Sequence, residues 1–386
     1  MIHLQGKNRM EKIVGNKSKM RSVVIIMIAI LIIVAIFLGI KIYQLKQISG
    51  KTFDDLLYYS TKDVENVVIT VGIIRDGEMT YKVYGEDGKE LDPVLHQYEI
   101  GSVTKTFTCS LLCKAISEGR LTLDDQISQY IKMPKGYYYP TIRKLVTHTS
   151  GYKGYYFDKQ MIDNFIHRRQ NDFYGISMDT LNMQVADHIV KDKQYPFQYS
   201  NFGISVVGSV ISNIYKEDYE TLMNQYITED LNLYNTYISK GTGDLMGYWT
   251  WREDDAYLAA GAIISNVEDM MQYLNLHMTN QLPYLKMGHQ EITNRSSNNK
   301  IYESMGIRID SQGIGWMLDK QNNLIWHNGG TSNFNSYIAF DKDRQIGVVI
   351  LSNISPDKRV PATVLGIKLI QELQDEYDVT DMSKRM

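Results

Sequence analysis

Ser102 and Lys105 stand three residues apart in EIGSVTKTF (99–107), directly after a glycine and at the head of an apolar run. A serine hydroxyl is a weak nucleophile until a neighbouring base takes its proton. Side chains three apart on a helix share a face, so this spacing allows a serine with an activating amine beside it. The tetrad S-x-x-K decides nothing alone, because it recurs at Ser150–Lys153, Ser297–Lys300 and Ser355–Lys358. Context separates the four. Ser150 sits before Gly151 in a turn-like stretch, and Ser297 lies in the polar run RSSNNK, which reads as a solvated loop. Ser355 precedes Pro356, which disfavours a helical serine. Only Ser102 follows an extended segment, LHQYEI, and opens a helix-period pattern of Phe107, Leu111, Leu112, Ala115 and Ile116. That helix is expected to run to about Gly119, with Ser102 where free N–H groups and the dipole favour developing negative charge.

Two more pieces of a site follow. QYSNFG (198–203) contains Tyr199 and Asn201. A tyrosine near an ammonium is expected to have its pKa lowered, making the phenol a usable base or proton shuttle. An asparagine two residues on can bind both a substrate amide and the lysine. A second Tyr-x-Asn, Tyr273–Asn275, falls inside the apolar helical run 265–278 and reads as core. WHNGGT (326–331) supplies His327, Gly329 and Gly330, and no other His-x-Gly occurs in the chain. Its two glycines would let backbone approach a ligand closely. The N–H of Gly330 could join that of Ser102 in an oxyanion hole, a device that contributes a few kcal/mol to a transition state.

These residues need elements to position them. VVITVGIIRDGEMTYKVYG (67–85) reads as two strands around Asp76-Gly77, a hairpin signal. Near the C-terminus, GIGWMLD and NLIWHNG flank a turn at Lys320–Asn322, while SYIAFD and QIGVVILSN flank Lys342–Arg344. A last helix is expected from Val364 to Leu373. Residues 120 to about 310 read as mixed and mostly helical, including one helix over 265–278 capped by Ser265 or Asn266. Strands at both ends with helices between predict an α+β fold: an antiparallel sheet assembled from both termini, flanked by helices and carrying an inserted helical region.

The chain has 386 residues, a formal net charge of −3 and two cysteines. That balance gives no reason to expect nucleic-acid binding. Cys109 and Cys113 lie on consecutive helical turns, poor geometry for a disulfide, and read as small buried hydrophobes. The histidines show no H-E-x-x-H, so no metal and no other cofactor is expected. No G-x-S-x-G elbow of a Ser-His-Asp hydrolase occurs either; GISVVG (203–208) has one residue too many.

Residues 23–40 (VVIIMIAILIIVAIFLGI) form an uncharged stretch long enough for most of a bilayer core. Lys7, Arg9, Lys12, Lys17, Lys19 and Arg21 precede it against one acid, Glu11. The positive-inside rule then predicts a cytoplasmic tail (1–22), a transmembrane helix (23–40), a tether (41–53), an extracytoplasmic domain (54–376) and a short C-terminal tail (377–386). A cleaved signal peptide is the competing reading; its apolar core is usually shorter, with a small-residue cleavage site after it, whereas KIYQLKQ follows here.

With Ser102/Lys105, Tyr199/Asn201 and His327/Gly329 in this order, the sequence resembles the penicillin-recognising serine hydrolases. It is most similar to the class C β-lactamase and D-alanyl-D-alanine carboxypeptidase branch, which includes esterases and amidases. LVTHTSGY (145–152) and AAGAIISNVEDM (259–270) also resemble that family, and the likeness spans about 54–376. The resemblance implies a β-lactamase-like fold and an acyl-enzyme on Ser102, with Lys105 and Tyr199 sharing the base role. Asn201, His327, Gly329 and Gly330 would then bind substrate, a small or cell-wall-derived molecule. His327 replaces the lysine typical of β-lactamases here, and a mostly neutral histidine is a weaker carboxylate ligand. This leans the expectation toward D-amino-acyl amides or esters. The alternatives are a β-lactamase proper, or a slow-acylating penicillin-binding sensor or pseudoenzyme. Specificity is expected from residues 152–180 and 235–258, with Trp249 and Trp251.

Overall fold

The computed structural model describes residue 48 and residues 50–385, apart from 280 and 359. The proposed anchor, 23–40, lies outside the described residues. Among those described, no helix is long and apolar enough to cross a membrane.

Eight strands form the main sheet: β1 (Ile69–Arg75), β2 (Glu78–Tyr84), β3 (Glu90–Leu91), and, after an interval, β7 (Ser311–Gln312), β8 (Met317–Asp319), β9 (Leu324–Gly330), β10 (Asn335–Asp341) and β11 (Ile346–Ser352). Their order is β3-β2-β1-β11-β10-β9-β8-β7, antiparallel throughout. The N-terminal hairpin therefore docks on the last strand, as expected, with β1 pairing β11 from Ile69↔Ser352 to Arg75↔Ile346. Asp76 (φ 52°) and Gly77 (φ 84°) make the β1–β2 turn, which needs two left-handed residues. A smaller sheet not foreseen in the insertion joins β4 (Tyr98–Glu99), β6 (Ile263–Ser265) and β5 (Tyr237–Ile238). These strands are two or three residues long, too short to show a period.

Helix α1 (Phe53–Thr61) opens the domain, with a capping box between Thr52 and Asp55. Helix α2 (Thr104–Ser117) is the central helix; α3 (Asn201–Tyr215) and α4 (Leu258–Gly261) pack beside it. Helix α5 (Val267–Thr279) packs on the sheet at β1 and β11, and α6 (Ala362–Arg385) on β10 and β11. Asn266 caps α5, its Oδ1 accepting from Asp269 N at 2.9 Å, while Ser265 ends β6. Covered by helices, β10 and β11 are buried at every position, which is why SYIAFD and QIGVVILSN carry continuous apolar runs. Helix α6 continues well past the expected Leu373. Phe107, Leu111, Leu112, Cys109 and Cys113 of α2 are all buried, and both cysteines are free. Each large apolar side chain buried there contributes about 1.5–3 kcal/mol.

Candidate active site

Ser102 lies in a single 3-10 turn, Gly101–Val103, and the α-helix proper starts at Thr104. The turn still sets Ser102 and Lys105 on one side. Lys105 Nζ is 2.7 Å from Ser102 Oγ and donates to the Ala260 carbonyl of α4 at 2.7 Å. The lysine is completely buried. Burial disfavours its ammonium and, against a smaller opposing effect of Cys109, pushes its pKa down from 10.5 to about 7. Burial thus favours the free amine that a base must be.

Tyr199 is held from both sides by His148, a residue to which the sequence reading assigned no role. The His148 carbonyl accepts from Gln198 N (2.8 Å) and its Nδ1 accepts from Ser200 N (3.1 Å). The His148 ring lies 4.5 Å from the phenol ring, and its backbone takes a left-handed φ of 57°. Ser200 then caps α3, its Oγ accepting from Gly203 N. Tyr199 and Ser102 border the same cleft, and Lys105 Nζ sits 5.0 Å from the Tyr199 ring centroid. The expected lowering of the tyrosine's pKa is overturned. Burial raises it well above the ordinary range, because loss of solvation around a phenolate outweighs the opposing effect of the Ser102 hydroxyl. Tyr199 is therefore a neutral phenol. The expected Asn201–lysine contact is also absent: Asn201 Oδ1 is buried without a protein partner.

Strand β9 brings the third motif. Gly329 faces the nucleophile turn so closely that a Cβ there would lie 2.0 Å from the Ile100 carbonyl and 2.8 Å from Ser102 N. The glycine thus serves approach of protein to protein rather than protein to ligand. Gly101 (φ 49°) abuts Gly330 N in the same junction. This places Gly330 beside Ser102 on the cleft. His327 is buried, its Nδ1 is 2.6 Å from the Asn328 carbonyl, and its Nε2 has no protein partner. Burial, and then the charge of Lys105, push its pKa to about 3, so it is neutral even in acid.

Glu99 went unnoticed in the sequence, where it looks like any strand-end acid. It is buried, three residues before Ser102. One oxygen accepts from Trp249 N and the other from Thr331 Oγ1, both at 2.6 Å. It ties the Trp249 loop to the end of β9. Burial raises its pKa to about 7.

Ser102, Tyr199 and Gly330 open on a cleft of about 540 Å³. Its walls come from residues 297–309, from β8 and β9, and from the approach to α6, rather than from the expected 152–180 and 235–258. Ser297 sits in a loop, as expected, and is half-buried where that loop borders the cleft. Trp249 donates through Nε1 to Ser332 Oγ. Among the described residues, no group of three or more histidine, cysteine or acidic side chains could hold a metal.

A serine, a desolvated lysine and a buried tyrosine converging beside a glycine-edged strand define a penicillin-recognising type of site. The family profile described as Beta-lactamase matches residues 62–370, and the chain belongs to that family of serine hydrolases. Protein flp of Staphylococcus aureus (strain N315) is 24% identical over 284 residues, covering 68% of this chain and 53% of that protein. The chain thus spans about half the length of the first curated relatives it matches. A Beta-lactamase of Lysobacter lactamgenus is 24% identical over 337 residues, 74% of this chain and 82% of that protein. Among solved structures, a β-lactamase/D-alanine carboxypeptidase from Yersinia pestis complexed with citrate superposes with TM-score 0.65 at 18% identity, over 83% and 95% of the two chains. An octameric penicillin-binding protein homologue from Pyrococcus abyssi gives TM-score 0.62 at 20% identity, over 80% and 73%. At such identities these two show a shared fold.

Proposed function

We propose that this chain is a membrane-anchored serine hydrolase that acts outside the cytoplasmic membrane, through a Ser102 acyl-enzyme, on D-amino-acyl esters or amides of the cell envelope. The observation that carries the chemistry is Lys105: buried, without an acidic partner, 2.7 Å from Ser102 Oγ. As free amine it takes the Ser102 proton while Oγ attacks the carbonyl carbon. The backbone N–H groups of Ser102 and Gly330 hold the oxyanion. The neutral Tyr199 phenol gives its proton to the leaving oxygen or nitrogen and regains one from Lys105, so no phenolate accumulates. Lys105 is thus the primary base and Tyr199 the relay, and water releases the acyl group by the same route in reverse. Asn201 Oδ1, unpartnered, takes a substrate N–H. The apolar stretch 23–40 with six preceding cations supports the anchor and orientation.

The test incubates the full-length chain and Ser102→Ala with a fluorescent penicillin and with D-alanyl ester and dipeptide substrates. Intact mass follows the adduct and chromatography the product. A Ser102-dependent adduct with turnover is expected. A stable adduct without turnover would replace the hydrolase with a sensor.

A further inference from the structure

The cleft is a built binding surface, and its chemistry narrows what leaves Ser102. Tyr199, which faces the leaving atom, lines its catalytic end with Phe197. Beyond them, Tyr302, Met305, Ile307 and Ile309 form one wall, and Trp326 and Val364 face the same space. Two asparagines on the walls are already engaged within the protein. Asn328 Nδ2 donates to Thr363 Oγ1 at 2.9 Å, and Asn335 Oδ1 accepts from Ala362 N at 3.1 Å. Arg308, between two wall residues, donates to Glu303 (2.8 Å) and Asp310 (3.0 Å) instead. No lysine, arginine, histidine or acid lines the cleft among the described residues.

We infer that this cleft receives the leaving group of the substrate, and that the group is an uncharged, apolar alcohol or amine rather than a carboxylate-bearing residue. The inference rests on the Ser102 acyl-enzyme reading above. Acyl transfer to Ser102 breaks the ester or amide bond, and the released R–OH or R–NH₂ carries the proton from Tyr199. A carboxylate would lose its water against apolar walls that carry no cation among the described residues. Alkyl carbon gains about fourfold in binding for each methylene buried. Two methionines and an aromatic rim suit a group of variable shape. The volume is within the range that encloses a small-molecule ligand.

The experiment measures D-alanine release by the full-length chain from the methyl, butyl and octyl esters of D-alanine and from D-alanyl-D-lactate. We expect kcat/KM to rise at least tenfold from methyl to octyl, with the D-lactate ester poorest. Met305→Asp and Ile309→Asp should lower the octyl ester's kcat/KM at least tenfold more than the methyl ester's. A flat series with measurable methyl-ester turnover overturns the inference and leaves the hydrolase standing. So does preference for the D-lactate ester. No turnover of any ester and no Ser102 adduct would instead remove the hydrolase reading itself.

Discussion

Two serines of the same segment meet a tyrosine and a nitrogen-bearing side chain, yet only one of the two opens on a cleft. Ser102, at the head of α2, has Tyr199 and Lys105. Ser110, two turns down, hydrogen-bonds Tyr273 at 2.9 Å and has His277 Nε2 at 3.5 Å, with His289 Nε2 2.6 Å from His277 Nδ1. On paper the second set looks the more like a catalytic triad. Its surroundings deny it that role: Tyr273 stacks on Phe107, and Trp316 and Phe340 pack around both histidines. Ser110 is buried in the core, whereas Ser102 opens on a cleft. The bases differ as well. Burial leaves His277 and His289 neutral, and the nearby charge of Lys342 disfavours an imidazolium further. Burial of Lys105 instead brings an otherwise protonated amine to about 7, where it can both take and give a proton. Burial makes one pair inert and the other reactive; access and the starting pKa decide which.

The sharpest way to break this contrast is replacement of each serine. Ser102→Ala or Lys105→Ala should lower kcat/KM for a D-alanyl ester by about 10³-fold or more, whereas Ser110→Ala should leave it within about twofold. Comparable losses at both serines would refute the assignment. Tyr199→Phe should cost about 10²–10³-fold with an alkyl leaving group and distinctly less with 4-nitrophenol, which departs without a proton. Equal losses on both esters would make Tyr199 structural.

The pH profile sharpens the same point. Lys105 must be neutral to act, so kcat/KM should rise tenfold per unit up to about pH 7 and level off above it, in Ser110→Ala as in wild type. The stability sign follows. A depressed lysine pKa gives stability that is whole above 10.5 and is lost as pH falls toward 7. Lys105→Met should flatten that slope in urea titrations at pH 7 to 10. Glu99 tests positioning: Glu99→Ala should raise KM about five- to tenfold by freeing Trp249 and Thr331, with kcat changed less. Glu99→Gln keeps an acceptor for Trp249 N and should restore most of it. The smallest effect belongs to Tyr273→Phe, about 1 kcal/mol of stability from the lost Ser110 and Thr106 hydrogen bonds, with activity intact.

How much of this was legible depended on whether the signal was local. Asp76-Gly77, the apolar runs of β10 and β11, and the three motifs carry their meaning in adjacent residues, so turn, sheet and the core of the site could be read from them. His148, Ala260 and Glu99 act through partners 52, 155 and 232 positions away, and nothing in their own neighbourhoods marks them. The apolar cleft wall over 302–309 went unread for the same reason: what faces it comes from β8, β9 and the approach to α6.

The sequence by itself determined which side chains are available: a serine after glycine, a lysine three on, a tyrosine that pairs with them, and an apolar segment before the domain. Only the tertiary structure decided their ionisation and their access. A lysine's pKa and a phenol's depend on how much water and charge surround them, and those are properties of the packed volume rather than of chain order.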